Sequence, residues 1–138
     1  MTIKEYLGGD HRDCDELFAK VEGNFKLAKT EFETMAAAYE RHFALEETIF
    51  FPVFEEHTGT SHGPTQMMRS EHAQMRDLIE KMRTAIGKDD KAQFESIAET
   101  FIFLVQQHNS KEETILYTIG DRILGADAEE IVQTMQKH

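Results

Sequence analysis

His42-Phe43-Ala44-Leu45-Glu46-Glu47-Thr48-Ile49 returns later in the chain as His108-Asn109-Ser110-Lys111-Glu112-Glu113-Thr114-Ile115. Each copy reads HxxxE followed by Glu-Thr-Ile. A spacing of four sets the histidine and the first glutamate on one face of an α-helix, a turn apart. Two helices that each offer an imidazole and a carboxylate from one face could grip a metal.

On either side of both copies apolar residues recur at helical spacing, and no sustained alternation predicts a strand. The stripe through the first copy reads Phe32, Met35, Tyr39, His42, Glu46, Ile49 and Val53. Through the second it reads Phe94, Ile97, Phe101, Leu104, His108, Glu112, Ile115 and Ile119. A further helix precedes each of these. Leu7, His11, Cys14, Phe18, Val21 and Phe25 line one, and Met68, His72, Met75, Ile79, Met82 and Ile86 line the other.

Punctuation places the helix ends. Asp10, after Gly8-Gly9, suits the N-cap of the first helix, and Thr30 with Glu33 is a capping-box pattern opening the second, which fades after Pro52. His57 to Pro64 is loop-like, with Pro64 in the first turn of the third helix and Gly87 at its end. Asp89 or Asp90 can cap the fourth helix, and Asp127 with Glu130 can open a tail helix. Short connections force antiparallel neighbours. The expected fold is all-α: an up-down-up-down antiparallel four-helix bundle with a short C-terminal tail helix, one domain over 1–138.

Composition narrows the partners. The chain has 138 residues with 26 Asp and Glu against 15 Lys and Arg, a net charge of -11, and no basic patch for nucleic acid or an anionic membrane. Its apolar runs fall far short of the ~20 residues that cross a bilayer, and no apolar leader opens it. A cytoplasmic location is expected. The single cysteine cannot form an internal disulfide, in keeping with a reducing compartment.

Every stripe contains a histidine and two contain a glutamate, where bundle packing favours Leu or Ile. A buried ionised carboxylate needs a partner of opposite charge, and no Lys or Arg lies on these stripes. A metal would supply it. Folding the helices back on one another at the expected turns sets His11 near the level of Glu46, Glu46 beside His72, and His72 within two turns of His108 and Glu112. Four imidazoles and two carboxylates overfill a tetrahedral zinc site. Two carboxylates bridging two ions about 3.5–4 Å apart leave each ion two histidines. An oxo or hydroxo bridge then leaves an octahedral position for O2, peroxide, nitric oxide or water.

The pattern His11, His42-x-x-x-Glu46, Glu71-His72, His108-x-x-x-Glu112 resembles the hemerythrin-like, or HHE cation-binding, family over most of the chain. The resemblance implies a non-haem centre of two iron ions, with His11, His42, His72 and His108 as terminal ligands and Glu46 and Glu112 as bridges. Oxygen-carrying members place another histidine four residues after that of the third helix, where this chain has Arg76, and use HxxxxD on the last helix. Iron-centre repair proteins also resemble this domain but place a cysteine-bearing domain before it, for which 138 residues leave no room. Ferritin, with ExxH on its metal helices, does not match.

Five other residues stand near the expected centre. Glu47 and Glu113 repeat with the motif and are read as facing a helix boundary or solvent, with acceptance of a ligand imidazole N–H as the alternative. Cys14 is read as a small buried thiol, alternatively a redox or nitrosation site. Tyr39 is read as packing with its hydroxyl satisfied, alternatively a bond to the centre; Arg76 faces either the open position or an outside carboxylate. Met68, Met75 and Met82 are read as adaptable core, and His57, His62 and His138 as exposed.

The expected function is binding of, or reaction with, a small diatomic gas or peroxide at the carboxylate-bridged centre. A gas-binding module competes with a peroxide-consuming or nitric oxide-reacting oxidoreductase, and no catalytic group is expected beyond the centre. The alternative is iron storage, delivery or repair of iron-sulfur proteins under nitrosative or oxidative stress. A zinc-stabilised structural bundle is the third.

Overall fold

The first helix begins two turns earlier than Asp10. In the computed structural model, which describes residues 1–138, Thr2 caps α1 (Ile3–Glu22): its Oγ1 accepts from Glu5 N at 3.0 Å, and Glu5 Oε1 accepts from Thr2 N at 3.1 Å. The Asp121 carboxylate also accepts from Ile3 N at 2.7 Å and Lys4 N at 3.1 Å. These bonds hold the helix start strongly enough to carry it through Gly8-Gly9, whose interior cost is about 1 kcal/mol each. Asp10 lies inside the helix and its carboxylate is used elsewhere.

The turn to the second helix falls at Gly23-Asn24 rather than near Thr30. Asn24 Oδ1 accepts from Leu27 N at 3.0 Å and starts α2 (Phe25–Leu45). Thr30 sits inside that helix, its hydroxyl donating back to the Leu27 carbonyl at 3.0 Å, so the Thr30/Glu33 pair is no capping box. The remaining long helices are α4 (Pro64–Gly87) and α5 (Lys91–Lys111), the latter capped by Asp90 Oδ1 on Gln93 N at 3.1 Å. Pro64 stands in the first turn of α4 as expected.

Both motif helices change their winding at the repeated Glu-Glu-Thr-Ile. Glu46–Phe50 and Glu112–Leu116 are π-helical turns, followed without a break by α3 (Phe51–Thr58) and α6 (Tyr117–Leu124). A π turn inserts about one residue per turn and moves every following side chain round the helix. The buried residues are therefore Phe50, Phe51 and Phe54, not Ile49 and Val53, which are half-buried. In the other copy Leu116, Tyr117 and Gly120 are buried, whereas Ile115 is exposed and Ile119 half-buried. Just ahead of that turn Val105, not Leu104, is buried.

Pro52 does not end its helix. Lacking an N–H, it leaves the Glu47 carbonyl without the i→i+5 donor of the π pattern, and Arg69 Nη1 reaches that carbonyl at 3.4 Å instead. The helix then runs to Thr58, and Gly59 at φ 73° closes it in the left-handed region.

Four antiparallel rods result, α1, α2–α3, α4 and α5–α6, in the up-down-up-down order expected. Their apolar core is split in two. One cluster gathers Phe18, Met35, Phe43, Met75, Met82 and Phe101; the other gathers Leu7, Phe50, Phe51, Phe54, Leu116 and Leu124. The tail helix α7 (Ala128–Gln136) covers the second with Val132 and Met135. A 3-10 turn, Gly125–Asp127, leads into it, and Asp127 makes no side-chain cap bond, contrary to the capping-box reading. Between the two clusters lies a polar layer.

Gly120 is where α6 meets the Phe50 ring. A Cβ there would stand 2.8 Å from Phe50 Cζ, inside any allowed contact. Gly120→Ala is expected to destabilise the protein by about 1–3 kcal/mol, as overpacking of a filled core does. Urea unfolding measures this, and an unchanged midpoint would show that the ring moves freely.

Candidate metal centre

The polar layer consists of His11 from α1, His42 and Glu46 from the first motif, His72 from α4, and His108 and Glu112 from the second. None of the six is more than 3% exposed. One ligand atom from each of Glu46, His72, His108 and Glu112 lies within 4.8 Å of the others, as do those of His11, His42 and Glu112. The imidazoles pair by half, His11 with His42 at 4.4 Å between ring centroids and His72 with His108 at 4.9 Å. Each rod contributes one histidine, and the two carboxylates stand between the pairs.

A carboxylate backs every imidazole. Asp10 accepts from His42 Nδ1 at 2.7 Å, Glu47 from His72 Nδ1 at 2.8 Å, Glu71 from His108 Nδ1 at 2.7 Å, and Glu113 from His11 Nδ1 at 2.9 Å. These bonds select the tautomer whose Nε2 faces the layer. Glu47 and Glu113, each after an HxxxE, cross to the lone histidine of the other half of the repeat, whereas Asp10 and Glu71, each before a lone histidine, serve the HxxxE histidine of their own half. Glu47 and Glu113 thus take the imidazole-accepting alternative rather than the solvent-facing reading. The imidazole-backing roles of Asp10, read as an N-cap, and of Glu71, read only as part of the Glu71-His72 motif, escaped sequence reasoning, although the shared acid-histidine order of Asp10-His11 and Glu71-His72 would have flagged them.

A second rank of charge holds two of these acids. Arg76 donates from Nη1 and Nη2 to the two Glu47 oxygens, both at 2.8 Å, and from Nε to Glu40 at 2.9 Å, while Lys111 pairs with Glu71. Arg76 therefore points outward and anchors Glu47. Burial acts against the Glu47 carboxylate, but the His72 and Arg76 bonds hold it down to about 2.

Without metal, the chain neutralises its buried glutamates with imidazolium. Burial pushes His72 down, yet its bonds to Glu46 and Glu47 prevail and raise it to about 9. For His42, burial is likewise outweighed, first by the Glu46 charge and then by the Asp10 bond, so it stays well above the usual range. His11 is raised too, its bonds to Glu112 and Glu113 overcoming burial and the His42 charge. The same interactions hold Glu46 well below the usual carboxylate range despite its burial. No Lys or Arg is needed on the stripes because the histidines take that role.

The layer nevertheless has unmet valence. His42 Nε2, His108 Nε2 and Glu112 Oε2 are buried and lack any hydrogen-bond partner. His42 Nε2 approaches Glu46 Oε1 to 3.2 Å and His108 Nε2 approaches Glu112 Oε1 to 3.0 Å, but neither is aligned to bond. A buried polar atom left unpaired costs about 1–3 kcal/mol. Two imidazole nitrogens and a carboxylate oxygen, converging without partners and able to offer lone pairs once the imidazoles shed their protons, fit a cation.

Tyr117 also enters the layer. Its Oη lies 2.7 Å from Glu46 Oε2, 3.0 Å from Glu112 Oε1 and 3.1 Å from His11 Nε2. Five residues of regular α-helix turn through about 500°, which would aim residue 117 about 140° away from Glu112. The π turn brings it back. Only a helix period altered at Glu112 could have exposed this residue to sequence reasoning.

Other expected neighbours lie outside the layer. Cys14 is buried in the first apolar cluster, where burial and then the Asp10, Asp15 and Asp13 charges push its thiol up and keep it protonated. Tyr39 donates to Asp15 Oδ1 at 2.8 Å. Met68, Met75 and Met82 are core, and His57, His62 and His138 are exposed.

Four rods crossed by a buried layer of four imidazoles and two carboxylates define a metal-binding helical bundle. The chain belongs to the hemerythrin HHE cation-binding domain family, whose sequence model matches residues 2–119. Neither the curated proteins nor the solved structures provide a match. No helix is long and apolar enough to cross a membrane.

Proposed function

We propose that the chain is a non-haem di-iron protein that binds or reacts with O2, peroxide or nitric oxide. The observation carrying this reading is the set of three partnerless buried ligand atoms within a layer that offers two histidines to each half and two carboxylates between them. His11 and His42 would hold one ion, His72 and His108 the other, and Glu46 and Glu112 would bridge. When bound, an iron pair supplies Lewis acidity and redox capacity toward small oxidants. Asp10, Glu47, Glu71 and Glu113 fix the imidazoles, while Phe43, stacked on His72 at 4.4 Å, and the two apolar clusters keep bulk water away. Burial of all six ligands favours a retained centre over one that surrenders its iron to another protein.

Metal analysis of protein purified without added metal is expected to find two irons per chain. Fewer than one, with zinc in its place, would refute the reading. A stable adduct with O2 or nitric oxide assigns a binding role; steady O2 release from peroxide in proportion to iron assigns an enzymatic one.

A further inference from the structure

Among the atoms that reach the ligand layer, the two halves of the centre differ at one. Phe51 and Tyr117 are each the first residue after a π turn, and each ring stacks on the histidine of a lone-histidine helix. Phe51 lies 5.7 Å from His72 at 18°, and Tyr117 lies 5.6 Å from His11 at 26°. Only Tyr117 carries an oxygen. That oxygen is fully buried, and its neighbours at 2.7, 3.0 and 3.1 Å all belong to the ligand layer.

Those distances describe more than a hydrogen bond. Cis ligands of an octahedral ion with bonds of about 2.0–2.1 Å stand about 3.0 Å apart. Tyr117 Oη keeps that spacing from His11 Nε2 at 3.1 Å and Glu112 Oε1 at 3.0 Å and stands closer, at 2.7 Å, to Glu46 Oε2, while His11 Nε2 keeps it from Glu112 Oε1 at 3.0 Å. A hydroxyl donates one proton and accepts at its lone pairs, so donation to Glu46 and acceptance from a protonated His11 still leave the 3.0 Å contact with Glu112 Oε1 without a donor. A shared cation accounts for all three.

On the opposite side Phe51, stacked on His72, carries no ligand atom. A cavity of about 80 Å³ between α4 and α5, lined by Glu71, Met75, Leu104, Lys111 and His108 itself, borders the outer edge of His108 in that half of the centre. It has room for a diatomic molecule or azide.

Resting on the di-iron reading, we propose that Tyr117 Oη is an additional ligand to the ion held by His11 and His42, and that exogenous ligand binds only the ion held by His72 and His108. Coordination breaks the phenol O–H bond and forms a bond from Oη to the ion, the proton leaving to solvent with those of the displaced imidazolium groups. The two ions are thereby made unequal by a chain that is otherwise nearly symmetric about them.

The test uses the iron-loaded ferric full chain and azide as probe. Expected are a visible tyrosinate-to-iron charge-transfer band with phenolate ring modes in resonance Raman, and one azide per centre. Tyr117→Phe, which preserves shape, is expected to lose both signatures, keep two irons and take two azides. Phe51→Tyr is expected to weaken azide binding at least tenfold and to add a second tyrosinate. Two irons in the wild type without tyrosinate modes overturn the ligation of Tyr117, whatever the variants do. An unchanged azide count in Tyr117→Phe overturns the assignment of the open ion. An iron count below two refutes the di-iron reading itself, which separates that failure from this one.

Discussion

If the chain holds the proposed iron pair, Glu112→Ala is expected to reduce its metal content from two ions to one or none, and Glu46→Ala to do the same. Glu112 lies within reach of both histidine pairs and Glu46 stands 3.2 Å from His42 and 3.1 Å from His72, so on that reading the loss of either removes a ligand from both halves together. The damage extends to the metal-free protein. Glu112 accepts from His11 Nε2 at 3.0 Å, and Glu46 accepts from His72 Nε2 at 3.1 Å and Tyr117 Oη at 2.7 Å. Removing one member of a buried ion pair costs about 3–5 kcal/mol, because the remaining charge stays desolvated. Metal analysis and urea unfolding of each variant read the two effects. Two ions retained in either variant would refute its bridging role.

Metal loading is expected to reverse the protein's response to alkali. In the metal-free chain His72 is raised from 6.5 to about 9, so the folded state holds that proton more tightly than the unfolded chain. Its contribution is complete below pH 6.5 and is lost as pH rises through 9. At roughly 1.4 kcal/mol per unit, His72 alone accounts for a loss on the order of 3 kcal/mol. Raised His11 and His42 titrate in the same sense, though the His42–Glu46 interaction counts once between its partners. Glu47 runs the other way: its depression to about 2 stabilises fully above 4.5 and is lost as pH falls toward 2. Metal-free protein should therefore be most stable between about pH 4.5 and 6.5. In loaded protein the imidazoles are already neutral, loading releases protons, and apparent metal affinity rises with pH. Urea midpoints at pH 6 and pH 9.5, with and without metal, give the comparison. A metal-free midpoint as high at pH 9.5 as at pH 6 would contradict it.

Much of this was legible in the residues because helical periodicity and ligand spacing are local properties. His11, His42, Glu46, His72, His108 and Glu112 all lie on stripes with a 3.6-residue period, and the structure gathers all six into one layer. Helix ends were less legible. Asp10 and Thr30 are good caps by composition, but Thr2 and Asn24 cap instead, the former aided by Asp121 from the far end of the chain. Competition between equivalent local caps is settled by such distant contacts.

Residue type and spacing along single helices were enough to specify four amphipathic helices, their antiparallel order, and the level at which histidine and glutamate replace aliphatic core. Tertiary structure decided the rest. It chose which acid backs which imidazole, a pairing made across helices that no spacing encodes. It also set the π turns at Glu46 and Glu112, which break the period on which stripe reading depends and swing Phe51 and Tyr117 inward. A nearly two-fold sequence repeat thus becomes a centre whose ligand layer carries a phenolic oxygen in one half and none in the other.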